Sequence, residues 1–441
     1  MVIRLRLVPA LVCGAILALP VSMNSQSTSL SADEHQMLQH VDAHVDSALK
    51  LLEAAVNINS GTQNFAGVRS VGKLFAAEFE ALGFKTRWVD GAKFNRAGHL
   101  VAEHPGPGPK LLLIGHLDTV FERDSPFQKF ERVGGSAARG PGIIDMKGGN
   151  VVMLEALKAL AAVDALKTMN VAVVLTGDEE SAGDPQSVAR EALVAAAQGA
   201  AVALGFEDGD GDPKTAVIGR RGTTAWTVRV TGKPAHSSQI FRNDIGYGAV
   251  FEAARIVNAF REKLAGEAHL TFNPSIVLGG TTVEFDAVQA RGNAFGKDNV
   301  IAEHAVVSGD LRALSIEQFG NARKRMEDVV RESLPHTRAE ITFEPGYPPL
   351  APTEGNRTLL ATYDQASRDI GTGPVTAVDP DRAGAADVSF VAGHVPMILD
   401  GIGLMGDGGH TVEETADLRT LTSQAKRAAV LMYRLARKLN Y

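Results

Sequence analysis

LLLIGHLDTV (111–120) is the stretch on which the fold turns. Leu111 to Ile114 are apolar without interruption, and the run ends on His116 with Asp118 two residues beyond. A half-exposed strand alternates apolar and polar residues. An unbroken apolar run of this length reads as a strand buried on both faces, as in a parallel sheet covered by helices. The flanking sequence agrees. Downstream it predicts a helix at 148–163, a strand at 171–176, a helix at 186–198 and a strand at 201–206. Upstream, helices at 35–57 and 65–82 precede short strands near 85–89 and 99–103. Strands alternating with helices in this way give an α/β class with a mostly parallel sheet and helices on both faces.

The pattern changes near residue 216. In TTAWTVRVTG (223–232), Thr224, Trp226, Val228 and Val230 alternate with Ala225, Thr227 and Arg229, the period of a strand with one exposed face. A helix at 245–264, strands near 271–284 and 299–312, a helix at 315–333 and a strand at 338–344 follow. This order suggests a small α+β sandwich inserted into the larger domain. After GYPPLAP (346–352) the α/β alternation resumes, with a helix at 356–369, strands at 374–378 and 396–400, and a last helix at 419–439. The expected division is 35–216 plus 347–441 for the main domain and 217–346 for the insertion.

A chain of 441 residues with 45% hydrophobic and 22% charged residues can bury a core in two or three domains. Lys plus Arg number 44 against 51 Asp plus Glu, with no basic block, so the clustered cations that phosphate neutralisation needs are missing and a nucleic-acid partner is not expected. Residues 1–25, MVIRLRLVPALVCGAILALPVSMNS, carry Arg4 and Arg6 before an apolar stretch from Leu7 to Val21 and then small and polar residues. That is the pattern of a secretory signal peptide, shorter than the ~20 apolar residues of a membrane span. Residues 26–34 read as a polar linker. The expectation is a periplasmic or secreted protein with no stable membrane insertion after cleavage. Its one cysteine, Cys13, would leave with the signal, so any metal must be held by His, Asp or Glu.

Five segments place acids or histidines at strand ends, the edge where parallel α/β sheets bind ligands. GHLDTV (115–120) offers His116, with Asp118 as the acceptor that a metal-bound imidazole needs on its other nitrogen. GPGIIDMKGGN (140–150) frames Asp145 with glycines. LTGDEESAG (175–183) ends a buried strand in Asp178, Glu179 and Glu180, three carboxylates whose repulsion a cation would relieve. LGFEDGD (204–210) offers Glu207, and GLMGDGGHTVEE (403–414) offers His410. Alone, each has an ordinary structural reading, Asp145 as a helix-entry residue and 178–180 as a solvated turn. Together they form a nitrogen–oxygen ligand set for two Zn²⁺ ions, with Co²⁺ or Mn²⁺ as substitutes. Asp145 would bridge, His116 and Glu207 would complete one site, and Glu180 and His410 the other. Glu179 is left uncoordinated, as a general base must be.

These segments, in this order and spacing, resemble the zinc-dependent aminoacylase and carboxypeptidase family, which includes glutamate carboxypeptidase, acetylornithine deacetylase and succinyl-diaminopimelate desuccinylase. The resemblance covers nearly the whole chain after residue 35 and is nearest to glutamate carboxypeptidase. It makes the insertion a lid and dimerisation domain. GKPAHS (232–237) is similar to the family's lid signature, which would give His236 the task of polarising the scissile carbonyl, often across a homodimer. Asn299, Asp310 and Arg312 resemble a segment in which Arg312 would clamp a substrate carboxylate, and Asn273 would also reach the substrate. The resemblance further implies a cis peptide after Asp145. Ala302 stands where the family usually has Pro, and Met146 where many members have Asp. The turn Gly384-Ala385-Ala386-Asp387 is less glycine-rich than usual, on what the family makes the substrate side.

The expected activity is therefore hydrolysis of an amide in a small peptide or N-acyl amino acid with a free carboxylate, with a carboxypeptidase of the glutamate-releasing type favoured. An amidohydrolase acting on N-acyl or carbamoyl substrates is the alternative. An inactive binding module on the same fold would have lost the base or a ligand, and all six residues are present. For the dimer, the strand near 223–231 is expected to pair edge to edge with its copy.

Overall fold

The computed structural model describes residues 30–287 and 289–438. The signal-peptide expectation and residues 26–29 of the linker lie outside them. No described helix is long and apolar enough to cross a membrane.

The main sheet has six strands in the order Lys85–Asp90, Gly98–His104, Asn170–Thr176, Lys110–His116, Ala200–Gly205 and Ile398–Leu399. The first three are joined by antiparallel pairings and the remaining pairs are parallel. The apolar runs divide by parity, as a sheet buried on both faces requires. Leu111, Leu113, Val171, Val173 and Leu175 enter one core. Leu112, Ile114, Ala172 and Val174 enter another on the opposite face. The first core is closed by the helices Phe65–Ala81, Gly148–Ala162 and Arg419–Lys438, the second by Glu191–Ala197 and the turn at Asp387–Val391.

The insertion has its own core, in which Trp226, Val228 and Val230 pack on the helices Gly248–Leu264 and Ile316–Arg331. Its sheet is antiparallel, in the order Thr271–Gly280, His304–Ala313, Gly222–Gly232, Thr337–Phe343. The strand Gly222–Gly232 is therefore interior, with both edges hydrogen-bonded, and cannot pair with a second copy. The edge strands are Thr271–Gly280 and Thr337–Phe343. The two connections to the main domain run side by side. Arg220 and Leu350 exchange backbone hydrogen bonds of 2.9 Å each, and the Thr223 N–H donates to the Tyr347 carbonyl at 2.9 Å.

Several elements differ from the sequence reading. The first helix starts at Ala32, because Ser31 caps it in a reciprocal box with Glu34, and so takes the end of the expected linker. The expected helix 35–57 is two helices, Ala32–Ala43 and Val45–Val56, broken at His44. The helix expected at 186–198 breaks at Arg190, whose side chain is committed to the buried ion pairs described below. The strand expected at 374–378 is a two-residue pairing with Thr215–Ala216, outside the main sheet. Two features had no counterpart in the sequence reading: the hairpin of Thr282–Asp286 with Arg291–Phe295, and a small sheet joining Glu131–Gly134, Ala137–Arg139, Gly406–Asp407 and Thr415–Asp417.

Candidate metal centre

His116, Glu179, Glu180 and Glu207 emerge at the carboxyl edge of the main sheet, while Asp145 and His410 arrive on loops that follow Ala137–Arg139 and Gly406–Asp407 of the small sheet. His116 ends the central strand, and the Asn150 amide holds its carbonyl at 2.6 Å. The loop carrying Asp145 passes close to its neighbours. A Cβ at Gly149 would lie 1.8 Å from the Phe206 carbonyl oxygen, so glycine is required there, and Gly142 has a φ of 71°. The Asp145–Met146 peptide is cis.

The side chains converge on Asp145. Its Oδ1 is 2.9 Å from His116 Nε2 and its Oδ2 is 2.8 Å from His410 Nε2. Glu207 Oε1 lies 3.6 Å from His116 Nε2, and Glu180 Oε2 lies 3.1 Å from His410 Nε2. Two groups result, His116–Asp145–Glu207 and Asp145–Glu180–His410, each with donor atoms within 4.8 Å of one another. Asp145 is common to both and gives one oxygen to each. The donor set suits divalent cations that accept nitrogen and oxygen, and Glu180 Oε1 is buried without a hydrogen-bond partner. A third group, His269–Asp379–Asp381, is more exposed, and Arg221 Nε already faces Asp381 at 3.5 Å.

Charge is crowded here. Burial, then the charge of Asp145, raises Glu180 to about 7. Glu179 is raised well above the carboxylate range by burial, which outweighs the opposing His116, with Asp387, Glu207 and Glu180 adding to the rise. Burial also raises Glu207 strongly, against the pull of His116 and with the push of Asp145. Hydrogen bonds to Asp145 and Glu180 raise His410 to about 11. Burial works against the Asp145 carboxylate, but hydrogen bonds from His116 and His410 outweigh it and hold its pKa low. Cations between these groups would relieve the repulsion among the carboxylates.

Asp118 lies beside His116 Nδ1, as expected, and has a further task. The strand ends at His116, so the alternation of strand side chains no longer aims Asp118. His116 Nδ1 lies 3.1 Å from the Asp118 backbone carbonyl and 3.5 Å from its carboxylate. The carboxylate also accepts hydrogen bonds from Thr62 Oγ1 at 2.6 Å, the Glu179 N–H at 3.0 Å and the Glu180 N–H at 3.2 Å. Asp118 thus clamps the loop that carries Glu179.

Three further groups support the centre and were not singled out from the sequence. Glu414, fully buried, accepts from the N–H groups of Gly142 and Ile144 at 2.9 Å and of Asp145 at 3.3 Å, fixing the bridging loop. Arg190 pairs with Asp178 at 2.6 Å and Asp387 at 2.7 Å. Arg220 pairs with Asp400 at 2.7 Å, and Asp400 accepts from the Glu207 N–H at 3.4 Å. The visible signals were an acid following His410 and a lone Arg in an Ala-rich helix. The Asp387 carboxylate is buried against Arg190 and Thr176.

The insertion residues stand apart from this cluster. His236 is exposed, with Nδ1 2.8 Å from Ser238 Oγ. Arg312 pairs through Nε with Asp310 at 2.9 Å. Asn273 stands opposite Asp310 on the neighbouring strand, which puts Asn273, Asp310 and Arg312 on the same solvent-facing side of the sheet.

Two imidazoles and three carboxylates at the edge of a covered α/β sheet, with a further carboxylate beside them, define a metallohydrolase. Residues 112–438 match the sequence model of Peptidase family M20/M25/M40, and the chain belongs to this family. Carboxypeptidase G2 from Pseudomonas sp. (strain RS-16) is 28% identical over 393 residues, covering 87% of this chain and 88% of the relative. Succinyl-diaminopimelate desuccinylase from Halorhodospira halophila is 26% identical over 336 residues, covering 73% and 81%. Among solved structures, aminopeptidase PepT from Bacillus cereus superposes with a TM-score of 0.70 at 19% identity, covering 89% of this chain and 99% of that one. The YXEP protein of Bacillus subtilis, described as a dinuclear metal binding peptidase from the M20 family, gives 0.63 at 16% identity, covering 90% and 99%.

Proposed function

We propose that this chain is a di-zinc exopeptidase that removes a carboxylate-bearing residue, glutamate first among candidates, from a small peptide or N-acyl amino acid. The observation that carries the reading is the placement of Asp145 between His116 and His410, one oxygen toward each. His116, Asp145 and Glu207 would hold one ion, and Asp145, Glu180 and His410 the other. Paired zinc ions supply Lewis-acid polarisation of the amide and acidification of the attacking water. Glu179 takes the proton from that water and returns it to the leaving amine. His236 donates to the developing oxyanion. Arg312, its fork oriented by Asp310, binds the substrate carboxylate, and Asn273 assists.

The size and coverage of the match to carboxypeptidase G2 support the carboxypeptidase reading. The desuccinylase relatives favour a second reading, hydrolysis of N-acyl amino acids. A panel of dipeptides ending in glutamate, N-acetyl and N-succinyl amino acids tests both. Release of C-terminal glutamate, abolished by chelator and restored by Zn²⁺, is expected. Turnover of the N-acyl compounds alone would select the second reading, and no turnover of either class would refute both.

We further propose secretion or export to the periplasm on the strength of residues 1–25, and a homodimer. The edge strand Thr271–Gly280 and the helix Gly248–Leu264 border an apolar groove of about 730 Å³, with Val250 and Val277 exposed along it. This edge replaces the interior strand 222–232 as the pairing surface.

A further inference from the structure

The loop Asp178–Glu180 is held by its backbone. Its Glu179 and Glu180 N–H groups are bound by Asp118, and the Asp178 carbonyl by Arg190 Nη2 at 3.1 Å. A further contact comes from the segment that returns from the insertion. The hydroxyl of Tyr347 donates to the Glu179 carbonyl at 2.6 Å. Tyr347 lies on the connection returning from the insertion, where its carbonyl also accepts from Thr223 on the outgoing connection.

The direction of that hydrogen bond is determined. Arg190 Nη2 stands 2.9 Å from the Tyr347 oxygen. A guanidinium only donates, so the phenol oxygen accepts there and its single proton is left for the Glu179 carbonyl. The ring is located independently of its hydroxyl. It packs edge-on to Phe390 with centroids 5.0 Å apart, and the Arg190 guanidinium lies 5.8 Å from its centroid.

We infer that Tyr347 is a positioning residue for Glu179: by holding the 179–180 peptide plane it aims the Glu179 side chain, and it does so from the connection between the insertion and the main domain. This rests on the reading of Glu179 as the general base.

The test compares Tyr347→Phe and Glu179→Gln in the zinc-loaded full chain, on the best substrate of the panel above. The Tyr347→Phe variant keeps the ring and should fold with an unchanged melting temperature. Its kcat should fall about tenfold to a hundredfold while KM and zinc affinity by calorimetry stay within about twofold. Amide hydrogen exchange should accelerate in the 177–183 segment, a readout that does not depend on turnover. Wild-type kcat with unchanged exchange overturns the inference. So does a joint fall in kcat, zinc affinity and melting temperature, which would mark a merely structural role. If Glu179→Gln retains wild-type kcat, it is the base assignment that fails. If that variant is inactive while Tyr347→Phe is normal, only the positioning role fails.

Discussion

Asp145 illustrates how one side chain sets the chemistry of a site. Its two oxygens meet imidazoles brought in by segments 294 residues apart in sequence, at positions 116 and 410. Replacing Asp145 with Asn withdraws the shared charge. The expected outcome is fewer than two zinc ions per chain by elemental analysis, with activity lost accordingly. Glu179→Gln differs in kind: zinc content should stay at two while the rate falls by about 10²–10⁴. Glu414 satisfies three N–H groups with two oxygens. In Glu414→Gln, an amide nitrogen would face one of those donors, at a cost of roughly 1–3 kcal/mol of stability measured by denaturant unfolding. The metal-side residues were legible because acids and histidines at strand ends have few other uses. The roles of Glu414 and Arg190, and the hold of Asp118 on the Glu179 and Glu180 N–H groups, were not, because their partners come together only in the fold.

At the scale of elements, the reading was strongest where burial dictates pattern. The runs around Leu111–Ile114 and Val171–Leu175 had to be doubly buried, and they divide between two cores. It was weakest where periodicity passes through a break. The apolar stripe from Val41 to Val56 continues across His44, although the backbone does not continue as one helix. Alternation showed which face of 223–232 is buried but not its place in the sheet, since an interior and an edge strand share that pattern. Trp226 anchors the core of the insertion and is fully buried there. Trp226→Ala should destabilise that core by about 3–5 kcal/mol. Because the two cores are separate, calorimetry should show the insertion melting ahead of the rest, with zinc content unchanged.

Over the whole molecule, the candidate metal centre belongs to the main domain, while His236, Arg312 and Asn273 belong to the insertion. Catalysis in this account needs the two brought together, within one chain or across a pair. Mixing Glu179→Ala with His236→Ala chains distinguishes these. If His236 acts across the dimer, exchange should restore activity at about a quarter of the sites. Confirmed subunit exchange without recovery would place His236 in its own chain's site. A charge placed in the apolar groove, Val277→Asp, should yield monomers by light scattering.

The account stands most directly on where metal binds. Anomalous diffraction at the zinc edge from zinc-loaded crystals should show two peaks roughly 3.5–4 Å apart. Both should touch Asp145, one joined by His116 and Glu207 and the other by Glu180 and His410. A single peak, or peaks at His269 and Asp381 with none at Asp145, would contradict it.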